Sequence, residues 1–276
     1  MVNVDNIPLV RMESRLGFQY IEKSALYVKD NNLVVSANKP TRQRHVLCPS
    51  AYTCILLGAG TSVSRDAIKM LSDCGTTVLW CGKRGMSMYT VGLNANSSMT
   101  NAKTQIDRIM NHRLSLWKKL LFCRSISYRD TDNVKELLLI EATFMKKQYA
   151  EIANKFGLTW NGRIPQTSKM DPNDTMNFAI TICNMALYGI ATACISGMGY
   201  LPQFGIIHGS GATPLSYDVA DTVKTETTIP VAMEYVSKHS SVDINELLVS
   251  LSTRLTENNI TSRFANLLVE LFQKRL

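Results

Sequence analysis

Apolar and polar residues alternate in two different rhythms along this chain, and the change falls near residue 94. Before it the rhythm suits strands. FQYIEKSALYVKDNNLVVSA holds two β-rich runs around Asp30-Asn31-Asn32, a hairpin signal. HVLCPSAYTCILLGAG adds further short strands, and TTVLWCGKRGMSMYTVG reads as two strands turning at Gly82–Gly85. Between them, SRDAIKMLSDCG fits a short helix with Ser64 as N-cap and Gly75 just past its end. After the small, polar stretch NANSSMTNA the apolar residues recur at helical spacing. One helix is expected over 102–125, with Ile106, Ile109, Met110, Leu114, Trp117, Leu120 and Leu121 as its stripe. Others are expected over 133–156, over 174–197 after the turn DPND, and over 245–256 and 261–274. The expected architecture is α+β: a small N-terminal β-rich domain (1–94), then a larger all-α domain (95–276), without repeats.

With 276 residues, 45% of them hydrophobic, the chain can bury a full core. The longest apolar runs, such as 51–60 and 76–81, are read as falling short of the roughly 20 residues a bilayer span needs. The first fifteen residues lack the hydrophobic core of a signal peptide, so a cytoplasmic protein is expected. Seven cysteines, an odd number without a CxxC pair, read as reduced, mostly buried thiols. A net charge of +8 points to a polyanionic partner, nucleic acid before membrane surface. The helix expected over 102–125 offers a basic face of Arg108, Arg113, Lys118 and Lys119, joined by His112.

Candidate chemistry concentrates in GIIHGSGATPLSYDVADTVK, residues 205–224. His208 ends an apolar run, and a small-residue loop leads to Pro214 at the favoured first position of a short helix. Asp218, Asp221 and Lys224 follow at intervals of three. The two aspartates lie on one side of that helix, roughly 60° apart. Imidazole and carboxylate at one place suit a divalent metal. Alternatively the aspartates simply sit in the first turns, where the helix dipole favours negative charge. GSGATP lacks GxGxxG and Walker A spacing, which argues against a nucleotide loop. Glu141 is the second anomaly, because it joins the apolar stripe of Leu137, Leu138, Phe144 and Met145. A carboxylate facing a core needs a buried Arg or Lys partner, or a cation.

These residues stand within blocks that resemble the Cas1 family, the CRISPR-associated integrases of spacer acquisition, closest to subtype I-E. The resemblance covers roughly residues 5–240 and rests on NIPL, GTSVSRDAIKML, VLWCGKRGMSMY, IEATFMKKQYA, GLTWNGR, NDTMNFAI with ALYG, GIIH and PLSYDVADTVKTETTIP. It implies a β domain used for dimerisation and an all-helical catalytic domain. The family's metal-binding glutamate, histidine and aspartate fall on Glu141, His208 and Asp221, with Mg²⁺ or Mn²⁺ as cofactor. Asp218 and Lys224 match nearby acidic and basic catalytic positions. Arg84, Arg163, Tyr188 and Lys224 match positions that handle DNA. The implied partners are a second copy of the chain, the small Cas2 protein in a heterohexamer, and double-stranded prespacer and repeat DNA, with no membrane. The implied reaction is insertion of prespacer DNA by attack of its 3′-hydroxyl on a phosphodiester. The chain departs from the family by ending at Lys274-Arg275-Leu276 without an extended Pro-rich tail, and by Ser87 standing where some relatives have arginine. Two other readings stay open: a non-enzymatic nucleic-acid scaffold with an ion-pair cluster, and a metal nuclease without integration activity.

Overall fold

The computed structural model describes residues 10–38, 43–82, 88–92, 99–127, 131–164 and 174–273. Strands β1 (Leu16–Ile21), β5 (Tyr52–Leu57), β7 (Thr77–Cys81) and β8 (Met88–Gly92) form one sheet in the order β1-β5-β7-β8. Its first three strands run parallel and β8 returns antiparallel to β7. A parallel sheet is covered on both faces, which accounts for the unbroken apolar run of β5. Cys54 and Leu56 pack toward the helices, while Ile55 and Leu57 pack toward the second sheet.

That second sheet has the order β4 (Arg44–Leu47), β3 (Asn32–Ala37), β2 (Ser24–Lys29), β6 (Ser62–Val63). Lys29 pairs with Asn32, so Asp30 and Asn31 alone make the turn, both at positive φ (49° and 59°). This is the two-residue turn that matches strand twist and favours Asn and Asp. The expected pair of β-rich runs is three strands, because the first breaks between β1 and β2, where Lys23 also takes a positive φ of 48°. Helix α1 (Arg65–Asp73) starts as expected: the Ser64 hydroxyl accepts from the Ala67 N–H at 3.2 Å.

The remainder is helical: α2 (Met99–Cys123), α3 (Val134–Lys155), α4 (Thr175–Gly197), α5 (Pro214–Asp221), α6 (Thr228–Lys238), α7 (Ile244–Glu257) and α8 (Ile260–Phe272). Asn133 and Asp174 cap α3 and α4 through their side chains. Helix α6 was not among the expected elements; Pro230 lies in its first turn, where a missing N–H is tolerated. Helix α2 breaks at His112 (φ −136°, ψ 25°), and the break shifts its apolar stripe. Leu116, Trp117, Leu120 and Leu121 are buried beyond it, whereas Met110, expected in the stripe, is 73% exposed.

Helix α4 corrects the expectation that apolar runs are all short. It is long and apolar enough to cross a membrane, yet most of it is buried inside the protein. It packs on α5, α6, α7 and α8 and also on β1, β5 and β7. Gly189 permits that seat, since a Cβ there would stand 3.1 Å from the Leu56 side chain and 3.5 Å from that of Leu79. One hydrophobic core therefore contains Phe18, Leu56 and Leu79 from the strands together with residues of the helices. The expected boundary at 94/95 lies outside the described residues.

Candidate functional site

Asp218 organises the segment that carries His208. Its side chain is fully buried on α5, and its Oδ2 accepts from the N–H groups of Ile206 (2.5 Å) and Ile207 (3.1 Å). Its Oδ1 accepts from the His208 N–H (3.1 Å) and lies 2.6 Å from His208 Nδ1. The turn is tight: a Cβ on Gly205 would stand 2.3 Å from the His208 carbonyl oxygen and 2.8 Å from Pro214 Cβ. In the neutral ring, with Nδ1 facing a carboxylate, the proton sits on Nδ1 and Nε2 keeps its lone pair. The hydrogen bond that the ring donates to Asp218 raises the His208 pKa, against the opposing effect of burial. Asp218, expected among the catalytic residues, thus has both oxygens engaged and orients the histidine from below.

His208 is 40% exposed and lines a cavity of about 590 Å³ with Asp221, Lys224, Tyr188, Tyr217, Tyr149 and Arg163. Asp221 is the last residue of α5, not part of its first turn. The dipole there is unfavourable for a carboxylate, so Asp221 relies on a cation. Lys224 supplies one, pairing with Asp221, donating to the Tyr188 hydroxyl and lying 4.5 Å from the centre of the Tyr188 ring. Burial alone would lower the Lys224 pKa, but the charge of Asp221 and the phenols of Tyr188 and Tyr149 outweigh it, and the ammonium is held. Burial raises the Tyr188 phenol, with Lys224 opposing. Tyr217 touches the Tyr188 and His208 rings edge-on, at 4.7 and 5.7 Å between centroids. Arg163 lines the cavity while donating to Asn177 Oδ1 (2.7 Å) and Thr181 Oγ1 (2.8 Å).

Glu141 does not line that cavity. It pairs with Arg124 at the end of α2, and both side chains are nearly buried, 12% and 4% exposed. The contact uses one atom from each: Glu141 Oε2 and Arg124 Nη2 are buried without a hydrogen-bond partner. This is the arginine-partner reading of Glu141. Among the described residues, no three His, Cys, Asp or Glu side chains gather closely enough for one metal ion. His208 and Asp221 are donors of the types a divalent cation takes, one nitrogen and one carboxylate on the same cavity, and Asp221 is paired with Lys224. Glu141 is not brought to them in this arrangement.

The basic face of α2 is partly committed elsewhere. Lys118 pairs with Asp132 at 2.9 Å, Lys119 donates to the Glu270 carbonyl at 3.0 Å, and Arg108 is half-buried. Arg84 lies outside the described residues. Three side chains hold the site's backbone from α2: Asn101 and Gln105, not singled out from the sequence, and Arg113, expected on the basic face. Asn101 donates to the Met198 carbonyl, Gln105 to those of Leu201 and Phe204, and Arg113 to that of Ile206. Gln105 carried a usable signal: it lies one turn before Ile109 on the buried side of α2, the same anomaly that marked Glu141.

Residues 98–240 match the model of the family described as CRISPR associated protein Cas1. The chain belongs to that family. A relative from Clostridium sp. (strain SY8519), named CRISPR-associated endonuclease Cas1, is 28% identical over 237 residues, 84% of this chain and 77% of its own length. A crystal structure of a TtCas1–DNA complex superposes with a TM-score of 0.82 at 22% identity, over 94% of this chain and 92% of the other. A casposase bound to its integration product gives 0.76 at 14% identity, again over 94% and 92%. These likenesses establish the shared fold.

Proposed function

We propose that this chain is a DNA integrase of CRISPR adaptation that requires Mg²⁺ or Mn²⁺ and inserts prespacer DNA into the repeat array. The observation that carries the reading is the cavity where His208, Asp221, Lys224, Tyr188 and Arg163 meet. It combines donors for a cation with groups that bind phosphate. Membership of the Cas1 family, a relative named as an endonuclease, and a fold shared with a casposase bound to its integration product support it.

The reaction exchanges one ester for another. A DNA 3′-hydroxyl oxygen bonds to phosphorus, the bond from phosphorus to the repeat's 3′-oxygen breaks, and the proton given up by the first is matched by one taken up at the second. His208 and Asp221 would hold the metal, with Glu141 as third ligand once it is released from Arg124. When bound, the ion supplies Lewis acidity toward the phosphoryl oxygens. In the neutral His208 imidazole Asp218 keeps the proton on Nδ1, which leaves Nε2 free to bind the ion. Lys224 places positive charge beside the phosphate, and Arg163 and Tyr188 border the same space. The proposed assembly contains two copies of the chain, Cas2, and duplex DNA.

The test is strand joining between a prespacer-like duplex and supercoiled repeat DNA, with and without Cas2. Joining with Mg²⁺ or Mn²⁺ should vanish in EDTA and fall by at least about 100-fold in Glu141→Ala, His208→Ala and Asp221→Ala. Full joining by these variants would refute the site. Shortened fragments without joined products would indicate a nuclease, and DNA binding without chemistry a scaffold.

Affinity for duplex DNA should fall steeply as salt rises, because a net charge of +8 makes phosphate contacts the main term. Titrations between about 50 and 200 mM salt should lose at least tenfold in affinity; a flat profile would exclude a basic DNA platform.

A further inference from the structure

The peptide groups leading into His208 are held at both ends, from two different helices. In the group joining Ile206 to Ile207, the N–H is accepted by Asp218 at 3.1 Å and the carbonyl accepts from Arg113 Nε at 2.6 Å. In the next, joining Ile207 to His208, the N–H is accepted by Asp218 at 3.1 Å and the carbonyl lies 3.5 Å from Arg113 Nη2. A peptide plane fixed at one end can still tilt about that bond. Fixed at both, it sets the direction in which the following side chain leaves the backbone. Upstream, the fully buried Gln105 accepts from the Leu201 N–H at 2.8 Å and donates to the carbonyls of Leu201 (2.9 Å) and Phe204 (3.0 Å). Arg113 follows directly after the break in α2 at His112.

We infer that Arg113, seconded by Gln105, is a positioning residue for His208, so that α2 sets where the imidazole stands in the cavity. This rests on the reading of His208 as a site residue. Arg113 is on the exposed side of α2, and its removal leaves the core intact. Asp218 alone would then hold the two peptide groups. The imidazole would sample orientations off the productive one, a change that alters turnover more than DNA affinity.

The experiment uses the full chain labelled with ¹⁵N-histidine, as wild type, Arg113→Ala, Arg113→Lys and the remote control Lys69→Ala. The Nδ1-bound proton of His208, in its 2.6 Å contact with Asp218, gives a low-field resonance that His208→Ala identifies by its loss. Arg113→Ala should shift or broaden that resonance and lower kcat for joining about tenfold at unchanged KM. Arg113→Lys, which keeps one donor, should restore part of both, and Lys69→Ala should change neither. An unmoved resonance in Arg113→Ala overturns the inference. A rise in KM at unchanged kcat also overturns it, making Arg113 a phosphate contact. The resonance is read without DNA, so it decides the positioning role even if no variant, wild type included, joins DNA.

Discussion

Asp218→Asn should lower the melting temperature by roughly 6–12 °C and weaken Mn²⁺ binding about 10–100-fold. The carboxylate is fully buried and receives the N–H groups of Ile206, Ile207 and His208 as well as the His208 ring. An amide has one accepting oxygen. In either orientation, its NH₂ group faces donors that the carboxylate had satisfied. Leaving buried donors unpaired around a former charge costs about 3 kcal/mol. For a chain of this size each kcal/mol corresponds to about 2–4 °C. The effect on the metal has a second origin: with NH₂ toward the ring, Nδ1 becomes an acceptor and the proton moves to Nε2, the nitrogen that faces the cavity. Calorimetry and Mn²⁺ titration measure the two effects separately. A variant that melts within about 1 °C of the parent and binds Mn²⁺ equally well would show that Asp218 does not organise this segment.

Lys224→Met should destabilise the chain by about 2–3 kcal/mol, and millimolar Mn²⁺ should recover more stability in the variant than in the parent. Asp221 ends α5, where the dipole opposes its charge, and Lys224 is its neutralising partner. Without the ammonium, the carboxylate, only 14% exposed, is left unpaired in a cavity wall and Tyr188 loses its donor. A divalent ion then meets a carboxylate with no competitor. Thermal melts of both proteins across a Mn²⁺ series report the difference directly. Equal gains in the two proteins would place the ion away from Asp221.

What the sequence reveals most readily is what short stretches decide alone. Ser64, Asn133 and Asp174 mark helix starts because a capping side chain acts within three residues of its own position. Asp30-Asn31 makes a hairpin because those residue types tolerate positive φ. Helix α6 escaped notice because Pro230 reads as a breaker unless it lies in a first turn. The break at His112 has no local sequence signal, so Met110 was assigned to the wrong face. At the site, the residue types at His208, Asp221 and Lys224 were legible, and the structure places them around one cavity. The division of labour was not. Asp218 and Asp221 share a helix and a residue type, yet one points under the His208 loop and the other into the cavity. Glu141 was correctly singled out as an anomaly, but its choice of Arg124 depends on how α2 and α3 meet, which no spacing encodes.

The seat of α4 on the strands links the two halves of the chain in heredity as well as in space. Gly189, against Leu56 and Leu79, is the next residue after Tyr188, which walls the cavity. A bulkier side chain at Leu56 or Leu79 would push on α4 at that point and carry Tyr188, and the Lys224 resting on it, along. Drift in the sheet interior would thus be felt as altered chemistry some distance away. Strand and helix segments exchanged between diverged relatives should therefore come with compensating changes across this contact.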